Sequence, residues 1–284
     1  MENTTDLLIL DGDCAESDLI PAIERVRAQS GHLTILLVAT IPPFPLYSMA
    51  ATPYGGVSVP ENWQIEWKST CEALDEKATE VRNILQHQDV SGDVKTACCE
   101  AAMMDEVVAR HAMVCDQAYI SNRLRENEVI FQNLVYGLLF KSPVGVVLNA
   151  PEAPEFVQPK KVFVAWNTGL PAARAIHQAL PILRAADEVT LAVFDPVMTE
   201  YQDGENPGSD VAQWLSHHDC NVTVQQYPSG GIEIGKAILS RAKDLGADLI
   251  VMGAYGRSRL RQNIMGGTSS TLIEQTKVPV LMAH

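Results

Sequence analysis

The stretch Leu249-Ile250-Val251-Met252-Gly253-Ala254-Tyr255-Gly256, a basic run to Met265, and then Gly266-Gly267-Thr268-Ser269-Ser270-Thr271 decides how this chain reads. Four apolar residues in a row suit a strand covered on both faces, and the strand ends in two glycines three positions apart. A second glycine pair with four hydroxyl residues follows, then a short helix-like run and a closing strand, Val278-Pro279-Val280-Leu281-Met282. Glycine accepts positive φ and lets bare backbone N–H groups approach a ligand closely. Placed before a helix start, it points to an anionic group such as a nucleotide or phosphate.

Upstream, the same pattern occurs twice. Asp6 to Leu10 is a short apolar strand ending in Asp11-Gly12-Asp13. Lys161-Val162-Phe163-Val164-Ala165-Trp166 is another, ending in Asn167-Thr168-Gly169, 156 residues after Asp11. The closing Pro-Val strands, at Pro143 and Pro279, recur 136 residues apart. Helical spacing in Ser17–Ala28, Pro171–Leu183 and the segment after Gly230-Gly231 alternates with continuous apolar runs at Leu33–Ala39 and Glu188–Phe194. The pattern predicts two α/β domains, 1–152 and 153–284, each with a mostly parallel sheet flanked by helices. Asn149 to Lys161, with three prolines, is the expected linker. Pro143 suits a first strand position or a sheet edge, where the missing donor does no harm.

The first half carries the larger insert. Ile41 to Pro60 holds five prolines and two glycines and reads as an irregular excursion, a surface loop or dimer contact before a lid. Glu61 to Gln88 reads as a helix with a stripe of Trp63, Trp67, Leu74, Ala78, Val81 and Leu85, the tryptophans packing rather than forming a stacking platform. Ser121 to Asn133 contains no glycine, so nothing there matches the later loop.

With 21 basic and 35 acidic residues the formal charge is -14, which disfavours nucleic acid and anionic membrane as partners. No apolar run reaches the ~20 residues of a membrane span, and no basic region precedes the first apolar run, so the cytoplasm is the expected compartment. Six cysteines without a CxxC pair are expected to be reduced, buried thiols, and a vicinal Cys98–Cys99 bond is not expected. His217-His218-Asp219-Cys220 lacks a second cluster at zinc spacing, and no metal site is assigned. No nucleophile arrangement is legible, so no catalytic residue is assigned. Asp195 and Asp248 are single carboxylates, weak candidates for Mg²⁺.

At this point the sequence resembles a tandem member of the universal stress protein family. The motif of that family's nucleotide-binding branch, Gly-x-x-Gly, nine residues, then Gly with Ser or Thr, fits Gly253, Gly256 and Gly266. Gly267 stands where the hydroxyl residue belongs, with Thr268 and Ser269 directly after it. The resemblance implies Rossmann-like domains of the adenine nucleotide alpha hydrolase-like kind, each with a five-stranded sheet. It implies ATP or ADP, with Mg²⁺, held in the second domain by Asn167, Thr168, Gly253, Gly256, Arg257, Gly266, Gly267, Thr268 and Ser269. Asn167 stands where such proteins place a base-contacting aspartate. The resemblance further implies a degenerate first domain, pairing of the two domains through Val144–Leu148 and Val278–Met282, and a stress-response role regulated by nucleotide. A nucleotide-independent scaffold that binds a protein partner, a homodimer, and a weak ATPase remain alternatives. Arg259 and Arg261 are read as a solvated basic turn before a triphosphate clamp.

Overall fold

The computed structural model describes residues 4–45, 59–150, 158–255 and 267–284. Strands β1 (Thr5–Asp11), β2 (His32–Ile41), β3 (Gly92–Glu100), β4 (Gln117–Ile120) and β5 (Gly145–Leu148) form the first half. Strands β6 (Lys161–Trp166), β7 (Glu188–Phe194), β8 (Val222–Tyr227), β9 (Leu249–Gly253) and β10 (Val280–Ala283) form the second. The two expected five-stranded sheets are joined into one continuous ten-stranded sheet, in the order β3-β2-β1-β4-β5-β10-β9-β6-β7-β8. Every pairing is parallel except that of β5 with β10, which run antiparallel with Val280 opposite Leu148 and Met282 opposite Val146. The physical reason lies in the edges. Each half alone would leave the backbone groups of a fully apolar terminal strand unpaired, and joining the two satisfies both ladders at once.

Alternate strand residues face opposite layers. Leu8 and Leu10 of β1 join a core with α1 (Glu16–Gln29), α2 (Glu61–His87), α5 (Leu170–Ala185) and α6 (Ser209–His217). Leu7 and Ile9 face the other core, made with α3 (Met104–Ala112), α4 (Glu128–Lys141), α7 (Ile234–Asp244) and α8 (Gly267–Glu274). Covered on both sides, the strands need no polar alternation, which is why they read as apolar runs.

Several local expectations shift. The stripe of α2 buries Leu74, Ala78, Val81 and Leu85, while Trp67 is 45% exposed and stacks on Trp63 with ring centroids 5.9 Å apart. Pro143 lies ahead of β5, and β5 sits mid-sheet rather than at an edge, so the proline removes no ladder donor. The hydroxyl run expected before the last helix lies inside it, since α8 begins at Gly267. The all-thiol expectation fails at Cys71 and Cys98, which form a disulfide between α2 and β3 with Cα atoms 5.7 Å apart. Helix-on-strand packing brings together residues that are 27 apart in sequence, and no spacing motif announces such a bond. Cys14 and Cys220 are buried free thiols, and burial pushes Cys14 up to about 11. Most of the Ile41–Pro60 excursion and the linker core lie outside the described residues.

Candidate functional site

In an open parallel sheet the crevice forms where neighbouring strands send their connections to opposite faces, beyond the carboxyl ends. Here β6 leads into α5 on one layer, whereas β9, its neighbour, leads toward α8 on the other. At that place lies a cavity of about 340 Å³. Its floor is the end of β6 (Ala165, Trp166, Asn167) and of β9 (Met252, Gly253), and Phe194 from the end of β7 adds an aromatic wall. Ile234 and Ile238 of α7, Tyr255, and the first turn of α8 (Gly267, Thr268, Ser269) close the remaining sides. The volume falls in the range of small-ligand sites, roughly 300–1,000 Å³, and the lining mixes apolar side chains and polar groups about evenly. A cavity of about 10 Å³ near Lys161, Leu245 and Ala247, at the opposite end of the strands, has room for a water only.

The structure thus brings Asn167, Gly253, Gly267, Thr268 and Ser269 together around one cavity. Thr168 is directed elsewhere, its hydroxyl donating to Asp203 at 2.7 Å. Gly256, Arg257 and Gly266, with Arg259 and Arg261, lie outside the described residues. Neither acidic candidate for Mg²⁺ serves the cavity. Asp248 precedes β9, at the amino ends of the strands, and accepts the Lys160 and Lys161 N–H groups at 2.9 Å. Asp195 accepts the Ser229 N–H at 2.8 Å, and the hydrogen bonds from Ser229 hold its carboxyl below the usual range. Among the described residues no group of three or more His, Cys, Asp or Glu is placed to hold a metal ion.

Gly253 has a different reason to be glycine from the one the sequence suggests. A Cβ there would stand 2.4 Å from the Ala172 nitrogen and 2.6 Å from the Pro171 carbonyl carbon, so the start of α5 fills the space beside it. The turn after it is held by Tyr255, which adopts φ 52° and donates its N–H to the Ser269 hydroxyl at 2.9 Å. Burial raises the Tyr255 phenol, and its ring packs 5.0 Å from that of Phe140 on α4, so the first half supports one wall of the cavity.

Glu233, which sequence reading passed over, stands at the start of α7. Its carboxylate accepts from the Gly235 N–H at 2.8 Å, the Lys236 N–H at 3.1 Å and the Thr271 hydroxyl at 3.0 Å. The signal available in sequence was an acidic residue just before an apolar-periodic helix, the usual place for a cap. Trp166, Phe194 and Met252 were legible only as strand residues, since their place at the strand ends depends on register.

The described features define a doubly wound α/β protein with a crevice at its switch point. Residues 159–284 match the universal stress protein family. The curated universal stress protein Slr1230 of Synechocystis is 39% identical over 46 residues, a match that spans 16% of this chain and 16% of that protein. The solved universal stress protein from Archaeoglobus fulgidus aligns over 98% of this chain and 97% of its own, with a TM-score of 0.64 at 15% identity. A functionally unknown protein from Pseudomonas aeruginosa aligns over 98% and 92% respectively, with a TM-score of 0.51 at 15% identity. At those identities the likeness shows the fold. Among the described residues no helix is long and apolar enough to cross a membrane.

Proposed function

We propose that the chain is a cytoplasmic stress-response protein of two tandem domains, 1–152 and 153–284, whose second domain binds ATP or ADP as a regulatory state. The observation that carries this reading is the 340 Å³ cavity between β6 and β9, lined by both the start of α8 and Asn167. Asn167 both donates and accepts, so it can read the polar edge of a base. Trp166, Phe194, Ile234 and Met252 supply apolar cover for a planar ring. The first turn of α8 lines the cavity, and the first N–H groups of a helix have no intrahelical partners, which suits phosphate oxygens. Gly256, Arg257 and Gly266 belong to the same proposed site on the spacing of the glycines. Bound nucleotide, with Mg²⁺, would supply negative charge and a planar base. The protein residues bind and orient, and none is assigned as a base for hydrolysis, so ATPase activity is expected to be weak.

A second reading is a nucleotide-independent scaffold, alone or as a homodimer, that binds a protein partner. The observation favouring it is that Thr271 already donates to Glu233, while Gly267 carries no hydroxyl. Mass analysis of the small molecules released on denaturing freshly purified protein separates the two. About one ATP or ADP per chain supports the first reading, and Gly256→Val should then weaken binding by crowding the backbone approach. No released nucleotide, together with no protection from proteolysis by millimolar ATP, would leave the scaffold.

A further inference from the structure

The Glu233 carboxylate is an anion fixed beside the first turn of α8, which lines the cavity that the phosphates are proposed to occupy. Its Oε1 lies 3.7 Å from where a Cβ on Gly267, the first residue of α8, would stand. It is tied on the α7 side by two backbone N–H groups and on the α8 side by the Thr271 hydroxyl. Burial pushes this carboxyl upward, but the hydrogen bonds from Gly235, Thr271 and Lys236 outweigh it and hold it below the ordinary carboxylate range, so it is charged at neutral pH. Because those bonds bridge two helices, the charge cannot swing away when a ligand arrives. A fixed carboxylate beside a helix start takes up part of the positive potential that would otherwise receive phosphate, and repels each added phosphate charge.

We propose that Glu233 is the specificity-determining residue of this cavity, selecting adenine ligands by phosphate charge and admitting ADP or ATP chiefly as their magnesium complexes. This rests on the nucleotide reading given above. Adenosine carries no phosphate and is indifferent to the carboxylate. AMP meets a modest penalty, while ATP free of metal meets the largest. Magnesium bound to the phosphates lowers their charge and relieves the repulsion.

Isothermal titration of nucleotide-stripped full-length protein with adenosine, AMP and ATP, each with and without Mg²⁺, tests the inference in the wild type and in Glu233→Gln. Without Mg²⁺ the variant should bind ATP about tenfold more tightly than the wild type, with adenosine unchanged, and the gap should narrow with Mg²⁺ or added salt. Glu233→Asp, which keeps the charge, should retain the wild-type order of ligands. Thermal unfolding of both variants reports any loss of the cap, and the wild-type order of ligands tests the idea even where a variant fails to fold. An equal change for all three ligands, or weaker ATP binding in Glu233→Gln, would make Glu233 a structural cap and overturn the inference. Failure of every adenine ligand to bind the wild type would overturn the nucleotide reading, and this inference with it.

Discussion

Superposing the two halves by strand register aligns residues that do different work. Asp6 pairs with Gln117 as Val162 pairs with Leu249, so Asp11 corresponds to Asn167, five residues on, and Ser121 to Gly253, four residues on. In the first half the crevice between β1 and β4 is spanned by an ion pair, Arg123 Nε to Asp11 Oδ2 at 3.3 Å, and the chain enters a short 3-10 helix, Asn122–Glu126. In the second half the same crevice holds the cavity. One fold thus keeps its architecture while one copy fills its switch point with its own side chain. The difference teaches that the fold alone does not make a site. The residues after the fourth strand of each half do.

The largest test of that contrast is at Gly253. With Ala172 and Pro171 backbone atoms 2.4 and 2.6 Å from an added Cβ, Gly253→Ala has to displace the start of α5. We expect a loss of about 3 kcal/mol, at the upper end for overpacking, measured by urea unfolding. Ser121→Ala, at the corresponding place, should cost far less, because a side chain is already accommodated there. Equal losses would erase the distinction between the two crevices.

The next effect concerns the first half alone. The disulfide between Cys71 and Cys98 closes a loop of 27 residues, for which chain entropy predicts about 3.5 kcal/mol of stabilisation. Replacing both cysteines by serine should lower the denaturant midpoint by that scale and leave ligand titration at the second-half cavity unchanged. A matching loss of ligand binding would mean that the staple acts across the whole sheet.

Arg125 joins the halves. Its guanidinium donates to the Ile273 carbonyl at 2.6 Å and to the Asn149 side chain at 3.0 Å, and it lies 4.2 Å over the Phe131 ring. Asn149 in turn donates to the Gln275 and Val278 carbonyls, both at 3.0 Å. The last carbonyls of α8 are therefore held by the first half, while the first residues of α8 line the cavity. Arg125→Ala should cost about 2 kcal/mol, typical of removing charged hydrogen bonds from a partly buried group. It should also weaken ligand binding several-fold as α8 loosens. A stability loss with unchanged affinity would limit Arg125 to holding the halves together.

Much of this was legible in the chain. The strand repeat, the Asn167 turn and the glycine spacing lead to the right strands and to the carboxyl end of the second half, because apolar runs and turn residues are local signals. Glu233 was missed because its importance comes from the packing of α7 on α8, which no local pattern encodes. The Cys71–Cys98 bond was missed for the same reason. The single sheet differs from the expected pair because two apolar terminal strands describe their own burial and say nothing of their partner's direction. Gly253 has a second reason to be glycine that the sequence did not show, since the contact that requires it comes from α5, some 80 residues earlier in the chain.

The smallest expected effect tests whether the filled crevice is held by charge alone. Asp11→Asn gives the first half the residue of the second at the equivalent position and breaks the pair with Arg123, whose side chain is 41% exposed. Exposed pairs contribute little, so the unfolding midpoint should stay within experimental error. The ligand stoichiometry should also stay at the wild-type value. Ser121 still accepts from the Arg123 N–H at 3.3 Å, and the 3-10 turn still occupies the place where the second half departs toward α8. A gain of a second equivalent of ligand would show that the ion pair, and not the backbone path, closes the first crevice. That result would make the two halves alike in architecture and different by one charge.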